Sequence, residues 1–547
     1  MRLVDKTRHL PRHLLLAVSL GALLAGGAAH AQDRAKSKSR VQINPYLGLD
    51  QSVVADLKGG TRDTLTYTSV IAGVDASIRN RSTEVRANLA YQHQFTWTKG
   101  QPDSDVVSGI VTARTNVAGR ALQLEGGVLA TRVRTDGYTG ANGNLAGAGS
   151  KSQVYSAYVG PTFTSKVGDL DVKAAYRLGY NRLENGADSA LTGAPLLDSF
   201  SESWTHVATA SVGVQPNVIL PIGIALGVGY EREDATQLSQ RYEDKWGRVD
   251  VTVPVSSDLA VIGGVGYQSI RISNKDALRN SVTGAPIRDS GGRFITDPAS
   301  PRILSYDNDE IIWDAGILWR PSRRTSLSLT VGHRYGSESV RGSLSWQPDE
   351  RSSLTVSLFD SVDSFGRALS GNLANMPDDF IVTRNPFSGD VNGCAFGASG
   401  SSCLTDTLSG IRTANYRNRG LSASYARNAG PWRYGIGLGY SRRKFLGSDP
   451  IFVNVNGLSD ENYFAAAALG YAIDDRSNID FNLYANQFKS GISGVSDVFN
   501  AGAYLTYHRR VTRRLQGHAS VGVDQVKAQG VESVLTGLAQ IGVRYSF

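Results

Sequence analysis

Apolar residues alternate with polar or small residues along most of the chain, which is the period-two pattern of β-strands. In residues 170–181 the apolar face runs from Leu170 to Tyr180, and residues 222–231 and 432–441 repeat the pattern with glycines on the polar face. The alternation in residues 84–97 outlasts the about 5–6 residues of a strand in a soluble sheet. It matches the about 9–11 residues of a strand that crosses a membrane. The pattern therefore predicts a transmembrane β-barrel.

Short and long connections alternate between the predicted strands. Short polar or proline-containing turns lie at residues 80–81, 117–120, 166–169, 216–221, 254–258, 321–324, 348–351, 428–431, 474–477 and 509–513. Long loops lie at residues 137–150, 185–201, 273–309, 363–414 and 447–459. This asymmetry is typical of outer-membrane barrels, whose short turns are periplasmic and whose long loops are extracellular.

The predicted fold is all-β, a single transmembrane antiparallel barrel that occupies residues 41–547. Counting the segments gives about 22 strands, within a range of about 18–22, and an even number is expected of bacterial single-chain barrels. The two short segments within residues 327–346 decide part of that range, because the count falls to about 20 if they do not span the membrane.

The first 31 residues have the pattern of a secretory signal peptide. Arg2, Lys6, Arg8 and Arg12 precede a short apolar run, and small residues at Ala29 and Ala31 predict cleavage near Ala31. Residues 32–40 would then form a short basic periplasmic segment, too small for a separate N-terminal plug. The expected location is the outer membrane of a Gram-negative bacterium.

The chain ends in QIGVRYSF, in which Gln540, Gly542, Tyr545 and Phe547 resemble the C-terminal insertion signal of outer-membrane proteins. The resemblance implies recognition by the barrel assembly machinery and periplasmic chaperones, followed by residence among outer-membrane lipid and lipopolysaccharide. No nucleic-acid partner is expected, and the oligomeric state stays open.

Hairpins such as residues 320–359, in which polar turns flank paired strands, resemble the type 2 group of outer-membrane β-barrel porins of proteobacteria. That resemblance implies a fold and a location rather than a substrate.

The two cysteines, Cys394 and Cys403, lie in a Gly-, Ser- and Asn-rich stretch of a predicted extracellular loop. In an oxidising compartment such a pair predicts one local disulfide that staples the loop. A metal site is the alternative, with Asp390 and Asp406 as its weak candidate partners.

Composition fits the barrel and excludes a helical membrane protein, since only 41% of the 547 residues are hydrophobic. Glycine accounts for 60 of the 547 residues, a larger fraction than the average of about 7%. The glycines fall mainly on the predicted lumen face and in turns. Register assigns charged residues of both signs to that face, which predicts either a mixed, ion-paired wall or a basic constriction. The candidate lumen-facing residues are Arg86, Arg114, Lys173, Arg177, Arg334, Arg433, Arg544, Glu84, Glu125, Asp171, Glu231 and Asp314.

These features favour a porin-like channel for passive passage of small hydrophilic solutes. A component of polysaccharide or surface-polymer export and a structural barrel are the alternatives. An enzyme is not expected, because no G-x-S-x-G, HExxH or P-loop motif is present and the histidines beyond the signal peptide are dispersed. No cofactor is expected. Residues 273–309 and 363–414 are the loops long enough to plug the lumen.

Overall fold

The computed structural model describes residues 40–59, 64–99, 101, 103–134, 151–185, 201–289, 293–376, 381–397, 400–408, 414–446, 456–491, 496–530 and 532–547. The predicted signal peptide, nearly all of the segment 32–40, the loop 137–150 and most of the loops 185–201 and 447–459 lie outside these residues.

Strands β1 to β15 and β19 to β25 form one closed antiparallel barrel of 22 strands, because β1 pairs with both β2 and β25. This confirms the predicted fold and includes the two short strands β13 and β14. The barrel strands are β1 (Arg40–Lys58), β2 (Thr64–Arg79), β3 (Thr83–Thr96), β4 (Ser104–Ala118), β5 (Leu122–Arg134), β6 (Lys151–Val167), β7 (Leu170–Asn185), β8 (Glu202–Val214), β9 (Gly223–Ala235), β10 (Arg241–Pro254), β11 (Leu259–Asn274), β12 (Ile303–Ser322), β13 (Thr325–Arg334), β14 (Ser337–Trp346), β15 (Ser352–Asp363), β19 (Tyr416–Ala429), β20 (Trp432–Phe445), β21 (Ser459–Ala472), β22 (Ser477–Lys489), β23 (Val498–Arg510), β24 (Leu515–Ala528) and β25 (Val534–Ser546).

Each predicted short turn lies between two consecutive strands, and we take that end of the barrel as periplasmic. The predicted loop 273–309 is shorter than expected at its C-terminal end. Strand β12 already begins at Ile303, because its ladder with β11 continues as far as Asn274. The rest of this loop packs on a 3-10 turn, Gln237–Ser239, where Leu238, Ala277 and Phe294 form a small cluster.

Apolar side chains form a belt on the outside of the barrel. Leu226, Val249, Val265 and Trp313 are consecutive cross-strand partners on β9 to β12, and each is at least 40% exposed. A closed barrel leaves no unpaired sheet edge in lipid, which is why such barrels cross outer membranes. The protein is therefore an outer-membrane β-barrel.

Strands β13 and β14 form a hairpin that is shorter than its neighbours. Strand β14 pairs with β15 only from Gly342 to Trp346. The buried side chain of Arg417 fills the space beside the hairpin tip and donates hydrogen bonds to the carbonyl oxygens of Arg334, Tyr335 and Glu338. The same guanidinium binds Asp360 at 2.7 Å.

Residues 364–415, here called the internal segment, join β15 to β19, and the described part of this segment folds inside the barrel. The internal segment contains helix α1 (Phe365–Ala374), a three-stranded sheet of β16 (Ile381–Arg384), β17 (Val391–Gly397) and β18 (Gly400–Cys403), and a short helix α2 (Thr405–Leu408). This is one of the two loops predicted to plug the lumen, and its described residues do enter it. In the described part of the chain, every helix is too short or too polar to cross a bilayer.

Candidate functional site

Helix α1 is attached to the lumen wall by an apolar face. Ser364 caps the helix by accepting a hydrogen bond from the backbone N–H of Arg367 at 3.2 Å, as Ser commonly does at this position. Phe365, Leu369 and Leu373 follow at helical spacing, are fully buried, and pack against inward side chains of β4 to β7. The helix therefore lies against one side of the barrel.

Arg367 connects the same helix to β9 and β10. Its guanidinium lies 3.3 Å from carboxylate oxygens of both Glu231 and Glu233, and it stacks on the ring of Tyr242 at 3.3 Å from the centroid. Burial opposes the charge, but Tyr242 and the two carboxylates outweigh it and raise the pKa of Arg367. A buried charge with this many partners acts as an anchor.

The turn between β16 and β17 is attached to strands β3 to β5 of the barrel wall. These strands lie on the other side of helix α1 from its contact with β9 and β10. Arg384 donates hydrogen bonds to the backbone carbonyl oxygens of Asn88 at 3.2 Å and Ser108 at 3.1 Å. Arg132 on β5 binds Asp390 at 3.0 Å. These polar contacts fix the turn against the wall.

Phe387, at the tip of that turn, packs on the lumen side of the seam where the first and last strands pair. It packs with Val54, Tyr67, Tyr504 and Leu538 in a buried cluster. The hydroxyl of Tyr67 donates a hydrogen bond to the carbonyl oxygen of Phe387 at 2.7 Å. The internal segment thus reaches across the barrel seam.

The hairpin of β17 and β18 carries the disulfide. Cys394 and Cys403 are directly opposite in the ladder and are joined by a disulfide bond. Phe396 and the two sulfurs lie on inward-facing glycines of β20. A Cβ atom at Gly435 would be 2.4 Å from the Phe396 ring, and one at Gly437 would be 2.7 Å from the Cys403 sulfur. Glycine on the lumen face therefore makes room for the internal segment.

Below the internal segment lies a cavity of about 550 Å³, here called the vestibule. It is lined by the periplasmic ends of β1 to β3 and β19 to β25, and its roof is formed by residues 384–386, 389, 396 and 397. Its charged and titratable lining residues are Asp50, Arg86, Arg384, Arg433, Asp480, His508, His518 and Arg544.

The other predicted lumen residues are distributed over the wall, mostly in ion pairs. Glu125 binds Arg177 at 3.2 Å and Arg114 at 3.8 Å, Asp171 binds Lys166 at 3.4 Å, and Asp314 binds Arg248 and Arg341 at 3.0 Å each. Arg334 donates to the amide oxygen of Gln268 at 2.6 Å, Glu84 binds Arg79 at 2.6 Å, and Lys173 is exposed on β7 beside Thr164. This is the pattern of the mixed, ion-paired wall.

The four residues of the predicted insertion signal divide between the two faces of β25. Gln540 is buried and donates to Pro386 of the internal segment, and Gly542 abuts Asp50 and His518. Tyr545 and Phe547 are exposed on the outside, with their rings 5.2 Å apart.

No group of three or more potential metal ligands occurs among the described residues. Sequence reasoning missed Arg367, Arg384 and Glu233. The sequence does contain a pattern that predicts helix α1, since a serine precedes apolar residues at positions 365, 369 and 373. The surroundings of Arg384 depend on strands far away in the chain, and no local pattern indicates them.

The sequence matches no protein-family model and no curated protein sequence. The resemblance to type 2 porins is therefore supported only at the level of an outer-membrane β-barrel.

Several solved structures have a generally similar fold. The FrpB iron transporter from Neisseria meningitidis is 10% identical, with 92% of this chain and 82% of that chain covered and a TM-score of 0.42. The ferric-catecholate import receptor Fiu from E. coli is 13% identical, with 92% and 81% covered and a TM-score of 0.40. The siderophore receptor PirA from Acinetobacter baumannii is 11% identical, with 93% and 81% covered and a TM-score of 0.39. Likeness at this level carries no functional information.

Proposed function

We propose that the protein is a channel for passive passage of small hydrophilic solutes across the outer membrane, and that the internal segment sets the width of the path. The lumen wall is polar, and its charges are balanced by ion pairs such as Arg248 with Asp314 and Arg433 with Asp480. A wall of this kind holds water, as the interior of wide barrels does.

The position of the internal segment carries the proposal. Helix α1 contacts β5 to β8, and the sheet that follows contacts β15 and β19. Below it the vestibule provides a polar space at the periplasmic end. A folded loop that narrows a barrel from within, above a polar vestibule, is the arrangement expected of a size-selective channel.

Conductance in planar lipid bilayers tests the proposal. The wild-type protein should give stable ohmic steps, and liposomes that contain it should swell in small sugars but not in large ones. Replacing residues 365–413 with a short Gly/Ser linker should increase the conductance severalfold and admit larger sugars. Shortening the rim loop at residues 281–284, where Val282 is 90% exposed, is the matched control and should leave conductance unchanged.

Two results would overturn the proposal. A silent wild-type protein with a conducting deletion variant would mean that the internal segment closes the barrel until a partner moves it. Silence of both proteins would favour a structural role or a part in polymer export.

A further inference from the structure

The internal segment contains two largely buried arginines with opposite surroundings. Arg367 lies between two carboxylates, whereas Arg384 has no carboxylate oxygen within 4.0 Å among the described residues. The hydrogen bonds of Arg384 go to neutral oxygens of Asn88, Ser108 and Gly389. Arg384 is therefore a partly buried cation whose charge the described residues do not neutralise by contact.

The acidic residues nearest to Arg384 already have basic partners. Asp75 binds Arg544 at 2.5 Å, and Asp390 binds Arg132 at 3.0 Å. Burial lowers the pKa of the Arg384 guanidinium, whereas the pKa of Arg367 is raised. Burying a charge without a counter-charge is costly, so a ligand that supplies a negative charge here would be favoured.

Arg384 lies in the roof of the vestibule, which can admit such a ligand. Arg86, Arg433 and Arg544 line the same cavity. Of the acids in the lining, Asp480 lies 3.5 Å from both Arg433 and His508, and Asp50 lies 3.2 Å from His518. An anion that enters from the periplasmic end therefore meets more guanidinium groups than carboxylates.

We propose that the vestibule binds a small anion that carries a carboxylate or a phosphate group, with Arg384 as its principal counter-charge. The Nη groups of Arg384 already donate to Asn88, Ser108 and Gly389, so Arg384 contributes mainly its charge. Hydrogen bonds to the anion would come from the other guanidinium groups of the lining, whose planar shape matches carboxylate and phosphate oxygens. This inference deepens the proposed function and rests on it in one respect, namely that the bound anion is a solute in transit.

Binding to the purified protein in detergent tests the site without any need for transport. The probes are inorganic phosphate and succinate, titrated by calorimetry against sodium chloride of equal ionic strength. Both probes should bind the wild-type protein if the site accepts either group, and binding of one alone identifies the class. Arg384→Gln should weaken the binding at least tenfold, and Arg384→Lys should weaken it less.

Arg323→Gln is the matched control, because Arg323 is exposed on a periplasmic turn and its loss changes the net charge equally. It should bind the probes as the wild type does. Heat-dependent gel migration verifies that each variant forms the barrel. Equal binding by wild type and Arg384→Gln, or no binding of either probe by the wild type, would overturn the proposal.

Bilayer recordings separate this proposal from the channel proposal. In a potassium chloride gradient the wild type should favour chloride, and Arg384→Gln should reduce that preference. Arg384-dependent binding without conductance would retain the site and reject the channel. Conductance without Arg384-dependent binding would retain the channel and reject the site.

Discussion

The guanidinium carbon of Arg367 lies 3.3 Å from the centroid of the Tyr242 ring. The first residue belongs to helix α1 inside the barrel, and the second belongs to β10 in its wall. Glu233 on β9 binds the same guanidinium and also accepts a hydrogen bond from the hydroxyl of Ser364. The start of helix α1, the carboxylate of Glu233 and the ring of Tyr242 thus form one buried cluster. This cluster fixes the internal segment to the wall.

Replacing Arg367 with Gln should release this end of the internal segment. The change leaves Glu233, which is 3% exposed, without its basic partner, and breaking a buried pair in this way costs about 3–5 kcal/mol. We expect faster proteolysis within the internal segment and a larger conductance.

Arg323→Gln is the control for that experiment, because it removes an exposed arginine of a periplasmic turn outside the internal segment. It should leave the protease resistance close to that of the wild type. Equal sensitivity of the two variants would contradict the assignment of Arg367 as the anchor.

Replacing Gly437 with Val should loosen the disulfide hairpin. The added side chain would meet the sulfurs of Cys403 and Cys394 at the Cβ position, and overpacking of this kind costs about 1–3 kcal/mol. The measurement is the rate at which dithiothreitol reduces the disulfide, which should rise. Gly517→Val, where the nearest atom is 4.0 Å from the added Cβ, should reduce at the wild-type rate.

The native protein should show no free thiol before reduction, because Cys394 and Cys403 are bonded to each other. Removing both with serine should destabilise the internal segment by about 3 kcal/mol, the value expected for a loop of this size. The barrel itself should persist, with a β-type circular dichroism spectrum and heat-dependent gel migration. Labelling by maleimide without reductant would be incompatible with the staple.

Arg417→Gln should destabilise the short hairpin of β13 and β14. Arg417 is 8% exposed and its partner Asp360 is 4% exposed, so the loss is expected to cost about 3–5 kcal/mol. Hydrogen exchange of residues 334–338 should accelerate. Arg427→Gln is the control, since Arg427 lies on the same strand, its side chain is 43% exposed, and its partner Asp349, at 4.0 Å, is at the other end of the hairpin. A similar acceleration in both variants would show that general charge loss is responsible.

The barrel could be predicted from the sequence because each membrane strand shows, in its own residues, which side faces lipid and which side faces water. Residues that face lipid and residues that face the lumen alternate, as Val265 and Gly266 do, and every strand repeats the rule. The turns were equally visible, since polar and proline residues interrupt the alternation. The short strands β13 and β14 show the limit, because 10 residues are about the minimum for a crossing.

The internal segment could not be derived in the same way. Its stability comes from contacts such as Arg384 with Asn88 and Phe387 with Tyr504, which join residues far apart in the chain. Only its cysteine pair and the apolar spacing of α1 are local features. Charges on the wall were assigned to a face by register, but their partners on other strands depend on the way the barrel closes.

Gln540 on the last strand donates to Ser52 on the first strand at 3.1 Å and to Pro386 of the internal segment at 2.8 Å. One amide therefore joins the first and last strands, which must meet when the barrel closes, to the segment that lies inside it. Closure of the cylinder and docking of its contents share this contact, so each step stabilises the other. An assembly intermediate with an open seam would lack part of the surface on which the internal segment folds.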